Sequence, residues 1–184
     1  MRIIRQTELI PTPWKNGGGI TRNIAQHTDA QELLWRLSMA DVDSAGDFSS
    51  FAGLTRILTV IKGSGMVLHS EGAAWPADFA VPVTFDGAAP VRATLAQGPV
   101  RDFNLMFDTA RCEGSARCRT QTGAHTLGLT GQTGIVHVIH GTLTLSERAQ
   151  VLGTGDTVIS DTAPLEYALG ADTCVLAITL QPRP

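Results

Sequence analysis

The 184-residue sequence predicts an all-β protein made of two similar units. Two observations carry that prediction. Apolar residues do not recur at helical spacing over any long stretch. Instead, short runs rich in Val, Ile, Leu, Thr and Phe are broken by Gly, Pro, Asp and Ser. One strand-turn-strand pattern also occurs twice. Ile57-Leu58-Thr59-Val60-Ile61-Lys62-Gly63 aligns with Ile135-Val136-His137-Val138-Ile139-His140-Gly141. Each copy continues into a second short strand, Met66-Val67-Leu68 and Leu143-Thr144-Leu145. Further on, Ala89-Pro90-Val91 and Ala163-Pro164-Leu165 each open another strand, and each half ends in an apolar one.

In chain order, Trp35-Arg36-Leu37-Ser38-Met39-Ala40-Asp41 alternates apolar and polar residues as a half-buried strand should. Arg56 to Ile61, Met66 to His69, Val81 to Phe85, Val91 to Leu95 and Asp102 to Phe107 read as further strands of the first half. Ile135 to Ile139, Leu143 to Leu145, Thr157 to Ser160, Leu165 to Leu169 and Cys174 to Leu180 read as strands of the second. Many short strands at this spacing point to a sandwich or barrel, not to a parallel sheet alternating with helices. The polar segment 108–124 reads as a junction between a first unit over 1–107 and a second over 125–184. Units of this size bury more apolar surface packed together than apart.

Val138-Ile139-His140-Gly141-Thr142-Leu143-Thr144-Leu145, followed by Leu152-Gly153-Thr154-Gly155-Asp156-Thr157-Val158-Ile159, resembles the hairpin pair of the cupin barrel. There the first glycine permits a tight reversal and the Gly-Asp pair turns the chain into the next strand. The resemblance implies double-stranded β-helix barrels, two in tandem, a bicupin. It also implies a test for a metal. Metal-dependent cupins supply two histidines one residue apart, a glutamate and a later histidine, because alternate strand positions share a face. Here His137 and His140 are three apart, the first half has Thr59 and Lys62 at the matching positions, and His69 with Glu71 lacks a third ligand. The expectation is therefore no metal and no cofactor.

Composition excludes several classes. Hydrophobic residues make up 43% and charged residues 17%, with a formal net charge of -3, which argues against disorder and against a nucleic-acid partner. The start, Met1-Arg2-Ile3-Ile4-Arg5-Gln6, lacks the apolar run of a signal peptide, and no stretch suits a membrane span. With three cysteines, Cys112, Cys118 and Cys174, reduced thiols and a cytoplasmic location are expected. No Gly-x-Ser-x-Gly elbow is present, and Asp41 and Asp43 lie in a turn-rich stretch where such side chains bond backbone amides.

The most unusual segment is Pro11-Thr12-Pro13-Trp14-Lys15-Asn16-Gly17-Gly18-Gly19-Ile20-Thr21-Arg22. Successive glycines suit a backbone that approaches something closely or adopts positive φ. Two readings stand side by side. One is an anion-binding nest with Lys15 and Arg22 as cationic donors and Trp14 and Asn16 completing a pocket for a small carboxylate. The other is a glycine-rich hairpin turn with Trp14 packed on the barrel.

This segment, with Trp35 to Val42, Gly46 to Gly63 and Arg101-Asp102-Phe103-Asn104-Leu105-Met106, resembles the HutD/Ves family of bacterial proteins. The resemblance implies a bicupin that binds a small acidic metabolite, such as a formylated or formimidoylated glutamate, and modulates histidine utilisation without catalysis. The alternative is a cupin-type isomerase or hydrolase acting on such a metabolite, with Lys15 or Asp102 as acid or base. The family motif falls on Trp14, Lys15, Asn16, Arg22, Arg36, Arg56, Asp102 and Asn104, which are the expected ligand-binding residues. Arginine forks bind carboxylates bidentately, which suits Arg22, Arg36 and Arg56 to a glutamate-derived ligand. Exposed sheet edges would also allow a homodimer.

Overall fold

The structure, a computed structural model, describes residues 1–15, 17–29, 32–147 and 149–183. Among these residues the only helix is a single 3-10 turn at Gln6–Glu8, and the architecture is all-β. The strands of the first half are β1 (Arg2–Ile4), β2 (Pro11–Pro13), β3 (Gly19–Asp29), β4 (Glu32–Val42), β5 (Gly46–Asp47), β6 (Leu54–Lys62), β7 (Met66–Ser70), β8 (Ala73–Ala77), β9 (Val83–Asp86), β10 (Arg92–Leu95) and β11 (Val100–Asp108). Then follow β12 (Cys112–Arg119), β13 (Gly123–Leu127), β14 (Thr133–His140), β15 (Thr142–Leu145), β16 (Gln150–Gly153), β17 (Thr157–Ser160), β18 (Leu165–Leu169) and β19 (Cys174–Pro182).

The chain divides into two units, Ile10–Cys112, and Glu113–Pro184 together with Met1–Leu9. The sequence reading put residues 1–107 in one unit. Here the first nine residues instead belong with the second half, because β1 pairs antiparallel with β17, Arg2 opposite Ile159 and Ile4 opposite Thr157. Just beyond β1, Arg5 donates to Asp156 at 2.6 Å and the Gln6 amide donates to the same carboxylate at 3.0 Å. The expected junction also holds regular structure, since β12 and the start of β13 fall within it. Its polar residues belong to strands whose burial alternates along their length.

Each unit holds two sheets, and the repeat read from the sequence is visible in their pairing. In the unit Ile10–Cys112 the sheets run β2-β3-β4-β11-β6-β9 and β5-β10-β7-β8. In the other they run β12-β19-β14-β17-β1 and β13-β18-β15-β16. Thus β6 and β14, which carry the repeated motif, occupy the same place in the two orders. Each also has a register shift at the same point, opposite Arg101/Asp102 on β11 in one unit and between Val138 and His140 in the other. A bulge bends a strand and re-aims its side chains, so its repetition is a structural feature and not a local defect.

One apolar cluster joins the two sheets of each unit. Val42, Leu58 and Val60 meet Met66, Leu68 and Ala93 in the first. Val136, Val138, Val158 and Val175 meet Leu143, Leu152 and Tyr167 in the second. The turns after the repeated strands need glycine. Gly63 has φ +97° and Gly141 φ +84°, and a Cβ would stand 2.7 Å from the Pro99 carbonyl oxygen or from Thr173 Cα. Gly63→Ala and Gly141→Ala are each expected to lower stability by about 1–3 kcal/mol through left-handed strain and backbone clash. Urea unfolding of the two variants measures this, and unchanged midpoints would contradict it.

Candidate functional site

Strand alternation builds the site. On β4, Arg36, Ser38 and Ala40 share one face. Register places Met106, Asn104 and Asp102 of β11 directly opposite them. On the other side of β11, Arg56 of β6 pairs with Met106, Leu58 with Asn104 and Val60 with Asp102. The polar positions that alternate along β4 therefore face a cavity inside the unit. The cavity measures about 460 Å³, within the range of small-molecule sites. Its wall adds Trp14 and Lys15 from the turn after β2, Thr21 of β3, and Phe48 and Phe51 from the loop before β6.

The described residues of the glycine-rich segment make a hairpin turn, with Trp14 and Lys15 on the cavity wall. The Trp14 amide donates to the Gly19 carbonyl at 2.9 Å, and the Gly17 amide donates to the Trp14 carbonyl at 3.1 Å. None of the described glycines lines the cavity. A Cβ at Gly19 would collide with the Asp41 carbonyl oxygen and crowd the Trp14 ring. The turn's contribution is to seat Trp14, whose indole Nε1 donates to Thr21 Oγ1 at 2.7 Å and whose ring meets Phe48 edge-on.

Six of the eight residues expected from the sequence line this one cavity: Trp14, Lys15, Arg36, Arg56, Asp102 and Asn104. Asn16 lies outside the described residues. Arg22 is not in the lining. It donates to Asp41 at 2.5 Å, and Arg101 donates to the other oxygen of the same carboxylate, also at 2.5 Å. Asp41 is thus a strand residue clamped by two guanidiniums, not the turn residue expected. Burial opposes its charge, but the hydrogen bonds from Arg101 and Arg22 hold its carboxyl below the usual carboxylate range.

The deep end is unusually polar for a buried surface. Arg56 is 4% exposed, Asn104 4% and Asp102 0%. Arg56 donates through Nη2 to Asn104 Oδ1 at 2.9 Å and through Nη1 to the Ser49 carbonyl at 3.3 Å, and Asn104 Nδ2 donates to Asp102 Oδ1. The guanidinium carbon sits 5.2, 5.6 and 5.0 Å from the ring centres of Phe48, Phe51 and Phe85, a cation–π cage. Two polar atoms in this cluster have no hydrogen-bond partner among the described residues, Arg56 Nε and Asp102 Oδ2. Such buried atoms are costly unless something else satisfies them. Burial pushes the Asp102 carboxyl up to about 7, against the opposing pull of Arg56 and with a further push from Asp41. Burial likewise brings Arg56 down to about 10, although Asp102 supports its charge. Arg36 is half-buried, is lowered by burial, and holds Asn23 Oδ1 through Nε and Nη2.

The aromatic cage and Ser38 are what sequence reasoning missed. Ser38 stands midway between Arg36 and Ala40, and the alternation itself is the signal that places it on the cavity face. Phe48 and Phe51 carried no signal beyond their place in the family-like stretch.

Among the described residues no three His, Cys, Asp or Glu side chains come together as metal ligands. His137 is buried and bonds Thr157 Oγ1 at 2.9 Å, whereas His140 is exposed. Among the described residues no helix is long and apolar enough to cross a membrane.

Fold and site together define a cupin-like β protein with a cation-lined cavity in its Ile10–Cys112 unit. Solved structures only 7–11% identical share this fold at TM-scores of 0.65–0.78, a likeness that speaks for the fold alone. The chain belongs to the HutD family, whose model matches residues 6–177. It is 40% identical over 118 residues to an uncharacterized 21.2 kDa protein in the hutC 3′ region of Pseudomonas putida. That match covers 60% of each chain, so this chain spans less than two thirds of that relative. It is 34% identical over 139 residues to protein Ves of Cronobacter sakazakii, covering 73% of this chain and 74% of the other. The solved HutD of Pseudomonas fluorescens SBW25 (formate condition) superposes with a TM-score of 0.85 at 32% identity, covering 100% of this chain and 99% of that one.

Proposed function

We propose that the chain is a cytoplasmic, non-catalytic binding protein whose cavity takes a small metabolite bearing carboxylates, such as a formylated glutamate, and so modulates histidine utilisation. On this reading each unit is a double-stranded β-helix and the pair a bicupin. The observation that carries the ligand class is the buried Arg56 fork, caged by three phenylalanines, whose Nε–H has no partner among the described residues. Arg36 and the exposed Lys15 add positive charge along the same wall. The hutC-region setting of the Pseudomonas putida relative supports the pathway.

A thermal-shift panel of N-formyl-L-glutamate, N-formimidoyl-L-glutamate, L-glutamate and urocanate tests this reading. A bound ligand at 100-fold its Kd stabilises by about 2.7 kcal/mol, a rise of roughly 5–10 °C for a chain of this length. No shift with any of the four would refute the pathway assignment. A second reading, a cupin-type isomerase or hydrolase, draws on the raised Asp102 carboxyl as an acid or base poised near neutral pH. Incubating the same four compounds with the protein and analysing for products separates the two.

A further inference from the structure

We propose that the deep end of the cavity holds the ligand's carboxylate between two donors, the Arg56 Nε–H and an O–H on Oδ2 of Asp102, so that binding takes up a proton. This rests on the carboxylate reading above and names how that site is regulated.

The argument starts from hydrogen-bond inventory. A carboxylate only accepts, so every group that faces it must donate. Asn104 Oδ1 only accepts, and does so from Arg56, while one N–H of its amide donates to Asp102 Oδ1. The two atoms of the cluster with no partner among the described residues are Arg56 Nε, always a donor, and Asp102 Oδ2, a donor only when protonated. An ionised Asp102 would set a second negative charge against the ligand at a fully buried position, where like charges disfavour one another. A protonated Asp102 turns the same atom into the second donor. Asp102 is fully buried, lines the cavity, and reaches its nearest cation only through Asn104.

The electrostatics agree. Burial already brings the Asp102 carboxyl up to about 7 in the unliganded protein, and a ligand anion raises it further. By linkage, what the ligand does to the proton the proton does to the ligand. The charged groups around Asp102 are Arg56 of β6, Arg36 and Asp41 of β4, Lys15 of the β2–β3 turn and Asp47 of β5. Asp41 is held below the carboxylate range and Arg56 stays near 10, so neither changes charge appreciably between pH 6 and 9. No histidine is among the described residues lining the cavity.

The test is calorimetric titration of the full chain with N-formyl-L-glutamate, and separately with glutarate, from pH 6 to 9. Each pH uses two buffers of different ionisation heat. Expected are an affinity that falls towards tenfold per pH unit above neutrality and an uptake approaching one proton at pH 8. In Asp102→Asn the group at this position no longer titrates, so whatever affinity remains has lost the pH slope and the proton uptake. A wild-type affinity flat from pH 6 to 9 without buffer-dependent heat overturns the proposal and leaves the carboxylate site standing. So does a wild-type pH slope retained in Asp102→Asn. Neither probe binding at any pH overturns the carboxylate site and this proposal together. The wild-type titration decides the matter even where the variant fails to fold.

Discussion

Arg56→Ala is expected to destabilise the protein by about 3–5 kcal/mol, as truncating a large buried side chain together with its hydrogen bonds does. Three losses converge on that one side chain. Asn104 Oδ1 loses the donor it has at 2.9 Å. Phe48, Phe51 and Phe85 lose the guanidinium they surround and are left lining a void. Asp102, already raised by burial, loses the cation that opposes the rise. Arg56→Lys keeps the charge but not the planar fork, which cannot be rebuilt from one ammonium. It should fall between wild type and Arg56→Ala, and ligand stabilisation should be lost in Arg56→Ala. Urea unfolding of the three proteins at pH 7 measures the order. An Arg56→Ala protein within about 1 kcal/mol of wild type would show that the buried cluster contributes little to folding.

How far the sequence foretold this site depends on what alternation can say. The period of two along Trp35 to Asp41 identified β4 correctly, and the spacing of Asp102, Asn104 and Met106 put those side chains on one face of β11. Alternation does not say whether the polar face meets solvent or a cavity. That depends on the neighbours of β4 in the sheet, β3, which directly precedes it in the chain, and β11, which is remote in sequence. Arg22 shows the same limit. It was grouped with Arg36 and Arg56 by motif, but register sets Ile20 of β3 beside Asp41, and Arg22 reaches that carboxylate instead of the cavity. Strands β3 and β12 escaped the sequence reading because their residues are largely polar and glycine-containing, a composition that also describes loops. The repeat fared better. Two glycines at fixed positions after matched apolar runs require matched turns, and the two units repeat the same pairing order down to the bulge.

Asp102→Asn should change how stability depends on pH, and the sign follows from where the proton sits. In the unfolded chain the carboxyl titrates near the ordinary value of about 3.9, whereas in the folded protein it titrates near 7. Below pH about 4 both states hold the proton, and Asp102 contributes no pH dependence. Between about 4 and 7 the unfolded chain has released it and the folded protein has not. Stability therefore falls as pH rises, by about 1.4 kcal/mol per unit and on the order of 4 kcal/mol in all. Above 7 both states are ionised and the loss is complete. Asp41 and Asp156 act in the opposite sense. Burial opposes their charges too, but hydrogen bonds hold both carboxyls low, so they lose stabilisation as pH falls. For that reason the informative quantity is the difference between wild type and Asp102→Asn, measured by urea unfolding at pH 4.5, 5.5, 6.5 and 7.5. The variant should gain on wild type across that range and hold its advantage beyond it, whereas parallel curves would mean that Asp102 titrates alike in both states.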